Sequence, residues 1–518
     1  MDPVKKVLVI ALDGATWDLL GPWLAGGAMP ALAQLADAGR TGHLQSTLPP
    51  LTSPAWPSFM TGKQPANHGV FDFFQAGTRP GQIALIDSTH IRSRLFWEYL
   101  SAAGLRVGVL NVPATYPPRP VNGYLVPGLL APDQGTTTYP PQLLHPYASD
   151  LGRYRLTPQM LYEPRKETEF ATELREVTAA QIRYALRLAR DIPTDFMMVH
   201  FLATDIAQHK LWHHLDPAHP WHDPARAHLG TIVRDLYTQI DAGLAQLLAL
   251  MPEATVIVMS DHGFGPQTRT VNLNLYFAQR GLLTFKSGRR LRRLAWRHKW
   301  LTKIGQRWWG RERLLNWDDV DWSRTRAYSK GHMGQVWLNV PRHERAAARA
   351  QVATALRELR DPATGKRLVD QLIWQEEVAH GPYAQLGPDL HLIMDGYRAL
   401  AYPMLAADGR VVTEQRRGDS GHHRPDGILI AAGPGIKPGG TVEGARLIDL
   451  APTILHLQDV PLPDDMDGVV LQSLLANPAN LRYQPAQTYE SLSPPTARVE
   501  HEDMAVRLRA LGYLEGGQ

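Results

Sequence analysis

The sequence predicts an α/β layered fold, a central and mostly parallel sheet flanked by helices and interrupted by cap insertions. Three observations predict it. Five short apolar runs end abruptly in polar residues, as strands buried on both faces do. Segments of helical periodicity lie between them, and the two kinds alternate along the chain, which is the pattern of a layered α/β architecture.

The elements follow in order. "KVLVIALDG" (6–14) reads as the first buried strand, and "MPALAQLADAG" (29–39) as a helix behind it. The stretch "LPPLTSPAWPSFMTG" (48–62) sets Thr52 and Ser53 between prolines at the mouth of a short helix, where one hydroxyl could cap the helix and one could react. "RSRLFWEYLSAAG" (92–104) reads as a helix and "RVGVLNVP" (106–113) as the second strand. A proline-rich, strand-poor stretch at 113–165 reads as an insertion, and "ETEFATELREVTAAQIRYALRLARD" (167–191) as a long amphipathic helix. "DFMMVHFLATD" (195–205), "ATVIVMSDHGFG" (254–265) and "DGILIAAGPG" (426–435) complete the buried parallel strands. A basic, Trp-rich segment at about 280–325 reads as a second insertion, so that residues 1–470 form one catalytic domain, with 471–518 a loose tail closed by a short helix at 504–515.

Composition narrows the chemistry. Apolar content of 44% and charged content of 20% are those of a globular protein, and no run approaches the roughly 18 apolar residues that would cross a bilayer. The lysines before "VLVIAL" precede too short an apolar stretch for a signal peptide, so a cytoplasmic protein is expected. The absence of cysteine excludes disulfides, thiolate nucleophiles and cysteine-ligated metals; any metal must rest on His, Asp, Glu or hydroxyl groups. The net charge of +4 is uneven: residues 286–313 carry eleven Lys/Arg against one acid, Glu312, and the remainder is net acidic.

In open parallel sheets, ligands bind outside the carboxyl ends of the strands. Those ends carry Asp13, then Asp205 and His209, then Asp261 and His262, and the approach to the last strand carries His422 and His423. Singly, each has a bland reading: a turn former, a solvated i, i+4 pair, two loop imidazoles. Together, three carboxylates and three imidazoles on one rim, the third imidazole being one of the His422/His423 pair, suit two divalent ions, with zinc favoured by mixed His and Asp ligands and manganese suiting the same donors. Two such ions clamp the attacking and leaving oxygens of an in-line phosphoryl transfer, and a Thr or Ser hydroxyl at a helix N-terminus is activated by an adjacent cation. His213, His214, His219 and His222 in "HKLWHHLDPAHPWH" read first as an active-site loop, ahead of a third metal site.

The stretches "VIALDGAT", "PPLTSPAWPSFMTGKQPANHGVFDF", "ATDIAQH", "MSDHGFG" and "GHHRPDGILIAAGPGI" resemble, in order and spacing, the alkaline phosphatase superfamily and within it the type I phosphodiesterase/nucleotide pyrophosphatase branch. The resemblance implies an alkaline-phosphatase-like fold and a phosphodiesterase working through a covalent phospho-threonine. It implies one metal on Asp205, His209 and His423, a second on Asp13, Asp261 and His262 together with Thr52, and Thr52 as the nucleophile. His423 is preferred to His422 because it directly precedes "RPDG". The chain departs from the branch at Phe73, where nucleotide pyrophosphatases carry a phosphate-contacting Asn. Sulfatases begin from a modified Cys or Ser with an Arg nearby, and their chemistry is disfavoured because Cys is absent and "TSPAW" lacks that Arg.

The expected substrate is a phosphate-ester small molecule or a lipid head group. A phosphomonoesterase, phosphotransferase or mutase is the alternative within the superfamily. From a different class stands a non-catalytic module that binds anionic surfaces through residues 286–313, although the bland reading of that segment is an amphipathic cap helix.

Overall fold

Every residue from Val7 to Leu12 is buried, which is why that run shows no polar alternation: it lies in the middle of an eight-stranded sheet, covered on both faces. The computed structural model describes residues 5–76, 83–132, 137–160, 162–286, 317–331, 333–401, 410–414, 419–477 and 480–487. The sheet runs in the order Thr441–Arg446, Arg40–Gln45, Asp426–Ala432, Ala254–Met259, Lys6–Leu12, Phe196–Phe201, Val107–Leu110, Gly123–Val126. Helices Pro30–Ala38, Phe96–Ala102, Glu167–Asp191, Thr231–Leu250 and Leu450–Leu457 cover it, and their apolar faces join one continuous core with the strands.

Seven strands run parallel and one does not. Asp426–Ala432 is antiparallel to both of its neighbours, Ala254–Met259 and Arg40–Gln45, which corrects the expectation of a parallel strand there. The cause is where the chain enters. Gly421–Arg424 pairs with Gly263–Pro266 at the carboxyl rim, so the next strand starts at that rim and runs down the sheet.

Two readings of domain extent also change. The stretch 113–165, expected to stand outside the sheet, supplies the edge strand Gly123–Val126, paired in parallel with Val107–Leu110. The second interruption is wider than the basic segment. A separate core of residues between Val271 and Val412 is built on the four-stranded sheet Ala327–Ser329, Val336–Leu338, Leu390–Met394, Val369–Trp374 and on helix Arg345–Arg357. Residues 287–316, most of the basic segment, and the expected terminal helix at 504–515 lie outside the described residues. Among the described residues, no helix is long and apolar enough to cross a membrane.

Candidate metal centre

The rim expected from the strand ends is assembled from four segments of the chain. Asp13 follows the central strand, and Gly14 behind it turns the chain at φ 66°, where a Cβ would also come within 2.8 Å of Phe264. Asp205 and His209 stand one turn apart on helix Ala203–Leu215. That helix is held onto the central strand by Thr204 Oγ1, which donates to Asp13 O at 2.7 Å, and by Gln208 Nε2, which donates to Gly14 O at 2.9 Å. Asp261 and His262 occupy the sharp turn between Ala254–Met259 and Gly263–Pro266, and His423 comes from the strand paired with the latter.

These side chains form two adjoining groups, all buried. In the first, His209 Nε2 and His423 Nε2 lie 3.4 and 3.2 Å from Asp205 Oδ1 and 3.0 Å from each other. In the second, His262 Nε2 lies 3.3 Å from Asp261 Oδ2 and 3.6 Å from Asp13 Oδ1. His262 borders both groups, its ring stacked on that of His423 with centroids 3.6 Å apart. Thr52 Oγ1 stands 3.3 Å from His262 Nε2. Among the described residues the groups of His, Asp and Glu placed to hold a metal are Asp205 with His262 and His423, and Asp13 with Asp261 and His262; His209 adjoins the first through Asp205 and His423.

The donor set fits divalent cations on three counts. First, His209 Nδ1 donates to Gly421 O at 2.9 Å, His423 Nδ1 to Pro50 O at 3.0 Å and His262 Nδ1 to Gly263 O at 3.1 Å, so each tautomer is set and each Nε2 turns a lone pair inward. Two lone pairs facing each other across 3.0 Å repel unless a proton or a cation lies between them. Second, Asp13 Oδ1 and Asp261 Oδ2 are buried without a hydrogen-bond partner among the described residues. Third, ligands bound tetrahedrally at about 2.0–2.1 Å stand about 3.3–3.4 Å apart, and the atoms here are separated by that order.

The electrostatics agree. Burial, with the charge of Asp205 added, pushes Asp13 well above the usual carboxylate range, and burial followed by the charge of Asp13 does the same to Asp261. Burial works against Asp205 too, yet His209 and His423 hold it well below. His209 is raised by Asp205 against its own burial, whereas burial lowers His423 and takes His262 down to about 4. Two carboxylates thus crowd one side of the centre with too little positive charge to stay ionised.

Both adjacent histidines pack against His209, with ring centroids 5.0 Å (His422) and 4.9 Å (His423) away, but it is His423 whose Nε2 reaches Asp205 Oδ1, while His422 Nδ1 accepts the His423 backbone N–H at 2.8 Å. The two hydroxyls separate as well. Helix Thr52–Thr61 starts at Thr52 itself; Leu51 occupies the cap position and no side chain caps the helix. Ser53, which the sequence allowed as a cap, is buried, and its Oγ has no hydrogen-bond partner among the described residues.

Two residues at the centre are not among the site residues expected from the sequence. His200 Nε2 donates to Asp13 Oδ2 at 2.8 Å, and Trp56 Nε1 donates to the same oxygen at 3.3 Å. Each left a trace in the sequence. His200 interrupts an otherwise apolar buried strand, where an imidazole needs a partner, and Trp56 lies one helical turn after Thr52 on the same face. Phe73, at the place of the branch's phosphate-contacting Asn, is buried in the main core. Of the remaining histidines, His213 Nδ1 lies 2.8 Å from Ser420 Oγ, His219 Nε2 donates to Gln267 O at 3.0 Å and His222 Nδ1 to His213 O at 2.9 Å, whereas His214 packs its ring 3.9 Å from that of His213 with neither ring nitrogen hydrogen-bonded among the described residues.

Comparison with known proteins gives a consistent picture. A family model described as type I phosphodiesterase / nucleotide pyrophosphatase matches residues 7–422. Phosphonoacetate hydrolase from Sinorhizobium meliloti 1021, solved with phosphonoacetate, is 16% identical at a TM-score of 0.51, covering 88% of this chain and 96% of its own. Murine ectonucleotide pyrophosphatase / phosphodiesterase 5, solved as an inactive form with AMP, is 15% identical at a TM-score of 0.51, covering 91% of this chain and 100% of its own. At these identities the structural likeness speaks for the fold. No curated protein matches the sequence.

Proposed function

Because the chain belongs to the type I phosphodiesterase/nucleotide pyrophosphatase family, and is therefore a phosphoester hydrolase, we propose that it cleaves phosphodiesters by attack of Thr52 on phosphorus, with divalent cations held by the two buried Asp and His groups. The first cation would rest on Asp205, His209 and His423, the second on Asp13, Asp261 and His262 beside Thr52. Zinc suits these mixed ligands, and manganese suits the same donors. When bound, such cations lower the pKa of a neighbouring hydroxyl and offset the charge that gathers on phosphoryl oxygens.

The observation that carries this reading is the position of Thr52. Its hydroxyl stands at the first residue of a buried helix, 3.3 Å from the His262 nitrogen that borders both groups. The positive end of the helix favours negative charge on Oγ1 and on the incoming phosphoryl group. Oγ1 attacks in line, the ester oxygen leaves with its electron pair, and water then cleaves the phospho-threonine to return the hydroxyl. Each displacement inverts phosphorus, so the overall course is retention. The histidines that orient toward the centre hold their Nδ1 protons on backbone carbonyls throughout, which keeps the three Nε2 atoms fixed.

The test is hydrolysis of a nitrophenyl phosphate diester and monoester side by side, by metal-stripped protein restored with zinc or manganese. The expected result is preference for the diester, lost on stripping and lowered by on the order of 10⁴ or more in Thr52→Ala. Equal activity of wild type and Thr52→Ala overturns the nucleophile assignment, and preference for the monoester overturns the diester reading.

A further inference from the structure

Residues 419–421 are hydrogen-bonded to helix Ala203–Leu215 and lead directly into strand Gly421–Arg424, which carries His423. Ser420 N donates to His209 O at 2.7 Å, and Ser420 Oγ donates to Lys210 O at 3.3 Å while accepting the His213 N–H at 3.1 Å. Gly421 O receives the His209 Nδ1 proton at 2.9 Å. A Cβ at Gly421 would come within 2.6 Å of Gln208 O and 2.8 Å of Trp212 Cβ, so the backbone lies directly against the helix. Two of the three ligands of the first group thus take their places from one short stretch: His209 through the carbonyl that receives its proton, and His423 through the strand that begins there.

The start of this stretch is fastened by a buried ion pair. Lys210 Nζ donates to Asp419 Oδ1, and the two side chains are 5% and 2% exposed. Lys210 follows the ligand His209 on the helix, and Asp419 stands two residues before the carbonyl that orients it. For stability alone such a pair is a poor device, because desolvation takes back much of the attraction and apolar residues of similar volume often pack as stably or better. What a charged donor and acceptor add over apolar packing is direction, since they meet within a narrow range of distance and angle. An ammonium buried beside a metal ligand would also oppose a cation, and Asp419 offsets that charge.

Given the two cations proposed above, on which this inference rests, we propose that Lys210 and Asp419 are positioning residues for the first of them. Their pair anchors residues 419–421 to the helix and thereby fixes the direction of the His209 and His423 nitrogens. The second group does not depend on this anchor. Asp13 and Asp261 stand at the ends of strands in the main sheet, and the His262 Nδ1 proton rests on Gly263 O.

The test is zinc binding by the metal-stripped full chain, read by elemental analysis and by competition with a chelator of known affinity, with urea denaturation alongside. Wild type, Asp419→Asn and the double variant Lys210→Met/Asp419→Val are compared, each also in the background of His423→Ala, which keeps only the second group intact. The double variant removes both charges at once, so the net charge beside the first group is unchanged and only the anchor is lost. The expected result is one cation held about 10–100-fold more weakly in both variants, the other within twofold of wild type, and no effect of either variant in the His423→Ala background. Denaturation separates position from stability. Asp419→Asn leaves an ammonium buried without its counter-charge and should unfold at lower urea, whereas the double variant should regain stability while its first site stays weak. Wild-type affinity for both cations in either folded variant overturns the proposal. So does affinity that recovers in step with stability, or equal weakening of both cations. Fewer than two equivalents on wild type overturns the two-cation reading itself, and the positioning role with it.

Discussion

His200→Phe isolates what the residues behind Asp13 contribute to holding a cation. The His200 side chain is 1% exposed and that of Asp13 0%, and their hydrogen bond is 2.8 Å long. Burial takes His200 down to about 3, so it is a neutral donor through Nε2 at any working pH, and its Nδ1 has no hydrogen-bond partner among the described residues. Phenylalanine has nearly the same shape and keeps the edge-to-face contact with Trp56, whose ring centroid lies 4.8 Å away at 83°. What disappears is one hydrogen bond to a carboxylate, worth about 1.5–3 kcal/mol when that carboxylate is ionised. Asp13 is already pushed up by burial and by Asp205, so without this donor it ionises less readily. The energy therefore appears in the metal-loaded state, where ionised Asp13 is required, and corresponds to about 10–100-fold weaker binding of the cation. The assay is zinc competition against a chelator of known affinity, starting from metal-stripped protein, with urea denaturation of the same protein as control. Metal affinity within twofold of wild type, in a folded variant, would refute the reasoning.

Three further outcomes are expected. His423→Ala should remove one of two metal equivalents measured by elemental analysis, whereas His422→Ala should retain both, because only His423 turns its Nε2 toward Asp205. Gly263→Ala should cost about 1–3 kcal/mol in denaturation, since a Cβ there would lie 2.1 Å from Asp426 O, and it should loosen the cation at His262, whose Nδ1 proton rests on Gly263 O. Stability should fall as pH drops below 6.5. His68 and His200 are taken down by burial to about 3 and His391 to about 4, against an ordinary 6.5. The unfolded chain takes up these protons first, so each group costs about 1.4 kcal/mol per pH unit over that window. In metal-loaded protein, proton competition for the ligands acts in the same direction. A denaturation midpoint unchanged between pH 7 and pH 5 would contradict this.

Much of the centre is legible in single letters because its parts are local. Asp13, Asp205 and Asp261 stand where apolar runs stop, and a strand buried on both faces announces its own end. The i, i+4 spacing of Asp205 and His209 is a property of one helix, and "DHG" of one turn. Helix Glu167–Asp191 coincides with its amphipathic pattern residue for residue. These features rest on the spacing of residues close together in the chain, which the local order of the sequence encodes.

What needed the folded chain is everything set by contacts across hundreds of residues. The antiparallel course of Asp426–Ala432 depends on a hairpin with Gly263–Pro266, and a buried strand looks the same in either direction. The choice between His422 and His423 depends on which of the two reaches Asp205 on helix Ala203–Leu215. The donors His200 and Trp56 to Asp13, the carbonyls that set three imidazole tautomers, and the wide second unit between Val271 and Val412 are likewise pairings of distant segments. The sequence by itself determined the layered fold, the rim and the kinds of group on it, because hydrophobic pattern and turn chemistry act locally. Only the tertiary structure decided which of those groups converge, which nitrogen faces inward and which oxygen is left without a partner, because orientation in a dry interior is set by hydrogen bonds from parts of the chain that no local pattern brings together.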